Sequence, residues 1–168
     1  EDVAQLLAHT SNLRGVVHAA GVLDDGMLMH QSPKRFLKVA GPKVSGAWNL
    51  HIQTKDLPLD FFVLFSSVAS IIGSPGQSNY AAANAFMDGL AHHRKHQGLV
   101  ATSINWGPWS DVGMAASDVV LQRLMKDGWQ PMNASQGCDF IGYLLKVCKL
   151  PQAAVLPVDW RQFAASIP

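Results

Sequence analysis

The chain has 168 residues, 48% of them hydrophobic and 15% charged, which is enough for one domain with a buried core. A net charge of +1, with no run of Lys or Arg longer than Arg94-Lys95, excludes a basic footprint for nucleic acid or an anionic membrane surface. There is no signal-peptide pattern and no apolar stretch near the roughly 18 residues of a membrane span.

Cys138 and Cys148 have neither CxxC spacing nor a neighbouring His cluster, so a disulfide framework and a zinc site are both unsupported. A reducing, cytoplasmic compartment is predicted, with small molecules or other protein domains as partners. The chain opens Glu1-Asp2-Val3 without an initiator Met, and is expected to be a segment of a longer polypeptide.

In chain order, residues 15–19 form the first apolar, β-rich segment. Ser32-Pro33 then reads as an N-cap with proline at the first helical position, and Leu37, Ala40, Val44, Ala47, Trp48 and His51 continue a helical face. Gly41-Pro42 is expected to break or kink that helix. Residues 61–65, Phe-Phe-Val-Leu-Phe, are apolar without alternation, as a strand covered on both faces of a parallel sheet requires.

Next comes a helix over 79–96, with Ala83, Phe86, Met87, Leu90 and Ala91 as its apolar stripe and Gly98 as its stop. A third strand is predicted over 100–104, helices over 118–126 and 135–149, and a last strand over 153–158. Strands alternating with helices make an α/β, doubly wound parallel sheet, with no internal repeat and no second domain. Ligands in such sheets bind beyond the carboxyl ends of the strands, here the loops 20–31, 66–78 and 105–114.

Those loops carry residues that a core would not need. Ser66-Ser67 closes the central strand, and Tyr80, thirteen positions after Ser67, begins the following helix. Asn84 lies one helical turn beyond Tyr80 on the same face. Lys43 sits near the start of the preceding helical segment, where a helix dipole mildly disfavours a cation. His92 and His96 have the i, i+4 spacing of two metal ligands but no third, so a solvated helix face is the expectation and no metal is predicted.

Lys43, Ser67, Tyr80 and Asn84 at these spacings resemble the catalytic tetrad of polyketide synthase ketoreductases, relatives of the short-chain dehydrogenases. The wider family places its lysine after the tyrosine as YxxxK; here Tyr80-Ala81-Ala82-Ala83-Asn84 has Asn instead, and Lys43 comes from upstream, which is itself the polyketide synthase pattern. Val16-Val17-His18-Ala19-Ala20-Gly21, Phe65-Ser66-Ser67, Asn105-Trp106-Gly107-Pro108-Trp109 and Leu156-Pro157-Val158-Asp159-Trp160 are similar to the same family, so the likeness covers nearly the whole chain.

The resemblance implies a Rossmann-like fold and NADPH-dependent reduction of a β-ketoacyl chain on acyl carrier protein. Tyr80 would be the proton donor, Ser67 the group that holds the carbonyl oxygen, Lys43 the cation that lowers the tyrosine pKa from about 10, and Asn84 a support for the proton route or for Lys43. Asn105, Gly107 and Pro108, with Ala19, Ala20 and Gly21, would lie against the cofactor, together with Lys43 and Tyr80. Leu23-Asp24-Asp25 marks the B-type of the family, which gives the R (D) β-hydroxy product, and Ile72 stands where the A-type has a Trp. Asp24 and Asp25 would guide the substrate without a catalytic role, and Met114 would border a substrate lid or simply pack. Trp106 and Trp109 would border the cofactor or pack.

None of the fourteen glycines has another two positions away, so the GxGxxG turn that cradles a dinucleotide pyrophosphate is missing. The chain is therefore expected to be the C-terminal portion of one domain spanning 1–168, about four strands, with the first βαβ units and the glycine-rich part upstream. Other domains of the same synthase polypeptide would be its partners. A non-catalytic scaffold half of a synthase module and a free-standing dehydrogenase acting on a small ketone are the competing readings.

Overall fold

The computed structural model describes residues 2–113, 118–147 and 149–166. Helix α1 spans Asp2–Ala8 and leads into strand β1, Gly15–His18. A 3-10 turn at Leu28–His30 precedes α2, Pro33–Ala40, which is capped as its sequence predicts: Ser32 Oγ accepts a hydrogen bond from Arg35 N at 3.4 Å.

Gly41-Pro42 does not break the helix. The chain widens into a single π-helical segment, Gly41–Ser45, and runs on as α3, Gly46–Thr54. Pro42 has no N–H to give to the preceding turn, and the Gly46 amide bonds back to Gly41 O, five residues away, so one extra residue fits into the turn. That insertion turns Lys43 inward to 3% exposure.

Strand β2 spans Phe61–Ser67, α4 Ala69–Ile72, α5 Ser78–His96 and β3 Thr102–Trp106. Helices α6, Asp118–Lys126, and α7, Ala134–Val147, precede β4, Gln152–Val155, and the terminal α8, Trp160–Ser166. The four strands are all parallel in the order β1-β2-β3-β4, with Val17 beside Val63, Ser66 beside Asn105 and Trp106 beside Val155. This is the doubly wound α/β sheet predicted, with β1 at an edge.

Of the boundaries that differ from expectation, two matter. β2 continues two residues past Phe65, so Ser66 and Ser67 are strand residues held by the ladder; β3 is shifted toward Trp106, which moves Asn105 and Trp106 out of the loop. The polar side chains hid these extensions, because the apolar run ends at Phe65 and at Ile104. β4 ends at Val155, short of the predicted Val158.

Alternate β2 side chains enter opposite layers. Phe62 and Leu64 join Val16, Ala47, Met87, Leu90 and Ala91 under α3 and α5. On the other face Val63 joins Ile104, Trp106, Met132, Leu144 and Val155 under α7. Trp106 lies between Phe65 and Trp109 in tilted ring contacts at 5.4 and 4.9 Å, so these tryptophans act as packing groups. Gly98, at φ 75°, ends α5 as expected.

Gly128 has φ 86°, and a β-carbon there would stand 2.7 Å from Asp159 O and 2.8 Å from Phe163 N. Gly128→Ala is expected to cost more than about 2 kcal/mol, through both the left-handed backbone and the backbone clash. Urea unfolding checks it.

Candidate active site

The carboxyl end of β2 is the meeting point. The strand delivers Ser67, α5 starts with Tyr80 and Asn84 on its sheet-facing side, and the π segment delivers Lys43. The four residues that sequence spacing singled out come from three elements and converge here.

Lys43 donates from Nζ to Phe65 O at 3.0 Å and lies 5.3 Å from the centre of the Tyr80 ring. Burial drives its pKa down from 10.5 to about 8, opposed by the negative charge of Asp88. Tyr80 is 9% exposed and packs with Val39, Ala69 and Ala83, with Leu23 against the same cluster.

Its phenol was expected to be acidified by Lys43, and the structure corrects this. Burial raises the pKa, hydrogen bonding by Asn84 and Ser67 opposes that rise, and the Asp25 carboxylate adds to it. The ammonium sits over the ring rather than at the oxygen, so desolvation dominates.

Ser67 Oγ accepts the Ala69 amide at 3.2 Å, and its O–H is turned toward the Tyr80 phenol in the cleft. Asn84 is fully buried; its Nδ2 donates to Tyr80 O at 2.8 Å, while Oδ1 has no partner among the described residues. His18, at the end of β1, is 7% exposed with Nε2 likewise unpartnered. Burial, then the Lys43 charge, lowers its pKa and keeps the ring neutral near pH 7.

Asn105 was expected in the cofactor-facing loop, and the structure corrects this too. Inside β3 it is fully buried, with Nδ2 on Asp88 Oδ2 at 2.9 Å and on Ser70 Oγ at 2.8 Å, and Oδ1 on Gln152 Nε2 at 3.0 Å. Both ends of its amide are thus committed to the sheet interior. Gly107 follows as a buried residue bonded to Val155 O at 2.9 Å, and Pro108 O accepts the Met132 amide at 3.0 Å. Ala19 and Ala20 leave β1 exposed, with Gly21 half-buried after them.

The Leu23-Asp24-Asp25 loop is tied down from both sides. Arg35 forms an ion pair with Asp24 at 2.6 Å and donates to Asp25 O at 2.6 Å, and Lys38 reaches Asp24 at 3.1 Å. Hydrogen bonds from Arg35, then Lys38, hold the Asp24 carboxyl below the usual carboxylate range. From the α5 side, Asn79 Nδ2 donates to Asp24 O and Gln77 Nε2 to Asp25 Oδ2, both at 2.8 Å. The two aspartates therefore anchor the rim of the cleft over Leu23 and Tyr80, and offer no free carboxylate pair for acid–base work.

Met114 lies outside the described residues, as does Cys148. His92 and His96 are exposed, and no group of three potential metal ligands occurs among the described residues. Nor, among those residues, is any helix long and apolar enough to cross a membrane. Ser70, Asn79 and Asp88 were missed in the sequence. A signal existed for Asp88: polar residues recur at 80, 84 and 88, four apart along the inner face of α5.

Comparison with known proteins places this geometry in a family. The profile of the KR domain matches residues 1–111. Polyketide synthase GfsA of Streptomyces halstedii is 46% identical over 158 residues, which is 94% of this chain and 2% of that protein. The phenolphthiocerol synthesis polyketide synthase type I Pks15/1 of Mycobacterium marinum is 47% identical over 148 residues, 86% of this chain and 7% of its own length.

A solved A-type ketoreductase from a modular polyketide synthase superposes with a TM-score of 0.92 at 40% identity, covering 97% of this chain and 35% of that one. The first ketoreductase of the tylosin synthase gives 0.87 at 40% identity, covering 98% and 36%. The chain spans only a few per cent of these curated relatives and about a third of the solved chains. With the family profile matched across residues 1–111, well over half of the chain, and the fold shared, the chain belongs to the KR domain family, the ketoreductases of polyketide synthases.

Proposed function

We propose that residues 1–168 are the C-terminal, catalytic part of a single ketoreductase domain of a polyketide synthase, and that this domain reduces a β-ketoacyl chain on acyl carrier protein to the R (D) β-hydroxyacyl product. The observation that carries the reading is the convergence of Lys43, Ser67, Tyr80 and Asn84 at the end of β2.

Reduction of a ketone adds hydride at carbon and a proton at oxygen. The Ser67 hydroxyl, beside the Tyr80 phenol, can turn its proton to the carbonyl oxygen of a bound ketone and so stabilises the negative charge that develops there. Tyr80 holds its proton firmly, and an alkoxide is basic enough to take it, so the raised phenol pKa suits the reductive direction. Lys43 steadies the phenolate left behind, and Asn84 holds the first turn of α5, with Tyr80 on it, in place.

NADPH is the proposed cofactor, and when bound it supplies the hydride. The residues present fit its reacting end: small, exposed Ala19 and Ala20 follow directly on β1, at the carboxyl end of the sheet. Gly107 and Pro108 would border that end through backbone and ring atoms. The pyrophosphate needs a glycine-rich turn that this sequence lacks, so its grip is assigned to a preceding part of the same domain. Other domains of the synthase polypeptide are the proposed neighbours.

The product hand rests on Leu23-Asp24-Asp25 and on Ile72, eight residues before Tyr80. The anchored loop supports it, since Leu23 packs against the Tyr80 cluster where an acyl chain must pass. The A-type ketoreductase among the solved relatives shares the fold; the hand is read from this loop. Chiral chromatography of the product formed by the complete synthase module should give the R alcohol, and an S alcohol would contradict the assignment.

A further inference from the structure

Beneath the tetrad lies a buried polar network that the proposed proton transfer does not use. Asp88 stands two turns after Tyr80 on α5, is 7% exposed, and has no ion-pair partner among the described residues. Hydrogen bonds alone satisfy its carboxylate: Ser103 Oγ donates to Oδ1 at 2.6 Å, while Ser70 Oγ and Asn105 Nδ2 reach Oδ2 at 2.6 and 2.9 Å. An unneutralised buried carboxylate is costly, and a packed apolar side chain would serve stability better.

What these donors touch next gives the carboxylate a purpose. Ser70 Oγ is also 2.8 Å from Ser67 O, and the Asn105 amide is 3.1 Å from Ser66 Oγ and 3.3 Å from Ser67 O. Ser66 Oγ in turn lies 3.3 Å from Asn84 O. By way of Ser70 on α4 and Asn105 on β3, these links join the strand end that carries Ser67 to the helix that carries Tyr80 and Asn84. We propose that Asp88 is a positioning residue for the reduction: it locks the end of β2 onto α5 through Ser70 and Asn105, and keeps one net negative charge under the site. This inference rests on the ketone reduction proposed above and extends it to a residue outside the tetrad.

The charge has a second consequence, because it favours the Lys43 ammonium against burial. The titratable groups around Lys43 are His18 from β1 and Tyr80 and Asp88 from α5, with Asp25 of the β1 loop acting on Tyr80. Removing the Asp88 charge lets the ammonium lose its proton at lower pH. That loss moves the alkaline limb of the kcat profile to lower pH.

The test is Asp88→Asn in the complete ketoreductase, assayed by NADPH oxidation with a β-ketoacyl thioester from pH 6 to 10. The amide has the same shape, and the serine hydroxyls can reorient around it. The expected result is a kcat about 10-fold lower at neutral pH, KM within about twofold, and an alkaline limb about one pH unit lower. A purely structural role would lower the melting temperature and leave the limb in place, and that outcome overturns the proposal.

If Asp88→Asn does not fold, Ser70→Ala decides. A lower kcat at unchanged melting temperature, restored by Ser70→Thr, supports the lock, and an unchanged kcat overturns it. A wild-type domain without turnover would overturn the proposed reduction and this inference with it. An active wild type whose Asp88→Asn limb does not move overturns the inference alone.

Discussion

Replacing Tyr80 by Phe in the complete domain is expected to lower kcat by about 10³-fold while KM stays within about threefold. The substitution removes only the phenolic oxygen. The ring remains packed among Val39, Ala69 and Ala83, so the melting temperature should move little. Because burial holds the wild-type phenol above its ordinary pKa, its proton is present throughout the working range, and loss of the donor should appear equally at every pH from 6 to 8. Turnover within tenfold of wild type would remove Tyr80 from the proton-donor role. Stopped-flow measurement of the hydride step separates this result from slow product release.

Lys43→Met is expected to reduce kcat at least 100-fold and yet to make the domain more stable at neutral pH. Lys43 is 3% exposed, with a pKa lowered from 10.5 to about 8 mainly by burial. Between those two values the unfolded chain binds a proton that the native state does not, so wild-type stability rises with pH across that window. Below about pH 8 the native state carries the full cost of the buried ammonium, up to about 3 kcal/mol. A methionine fills similar volume without the charge and escapes that cost, less the lost bond to Phe65 O. Wild-type kcat should fall as pH rises through about 8, where the ammonium is lost. Denaturant titrations at pH 7 and 9.5 check the sign: the wild type gains stability over the interval and the variant does not.

Stability opposing activity at one residue is what a catalytic group looks like when the fold has been bent to place it. The π turn at Gly41–Ser45 is the local device. The sequence forecasts a disturbance at Gly41-Pro42 but not its form. A kink would have ended the helix short of Lys43, whereas an inserted residue keeps the helix and rotates the side chain inward. The difference depends on whether the Gly46 amide can find Gly41 O, which the packing of α2 and α3 decides.

The same division applies to the sheet. Phe61 to Phe65 announces a doubly covered strand through its apolar run, and helix α5 announces itself through the stripe from Ala83 to Ala91, because each signal comes from side chains whose burial needs no partner beyond an apolar surface. Ser66, Ser67 and Asn105 are strand residues by hydrogen bonding alone, and polar side chains there read as loop. The family resemblance sets Asn105 against the cofactor. Its amide instead spans Asp88, Ser70 and Gln152, residues distant in sequence that only the packing of α5, α4 and β4 around β3 brings within 3 Å or less.

What the sequence determined by itself is the α/β grammar, the four residues whose types and spacings resemble the ketoreductase tetrad, and the missing glycine turn. Each is local, or is a pattern of spacing along one chain. The tertiary structure decided the charge states and the supports. Lys43 is strained toward neutrality and Tyr80 held protonated because both are desolvated, and Asp88 becomes a clamp because its donors arrive from α4 and β3. Burial and cross-element hydrogen bonding depend on what packs beside a residue in space, which no stretch of neighbouring residues specifies.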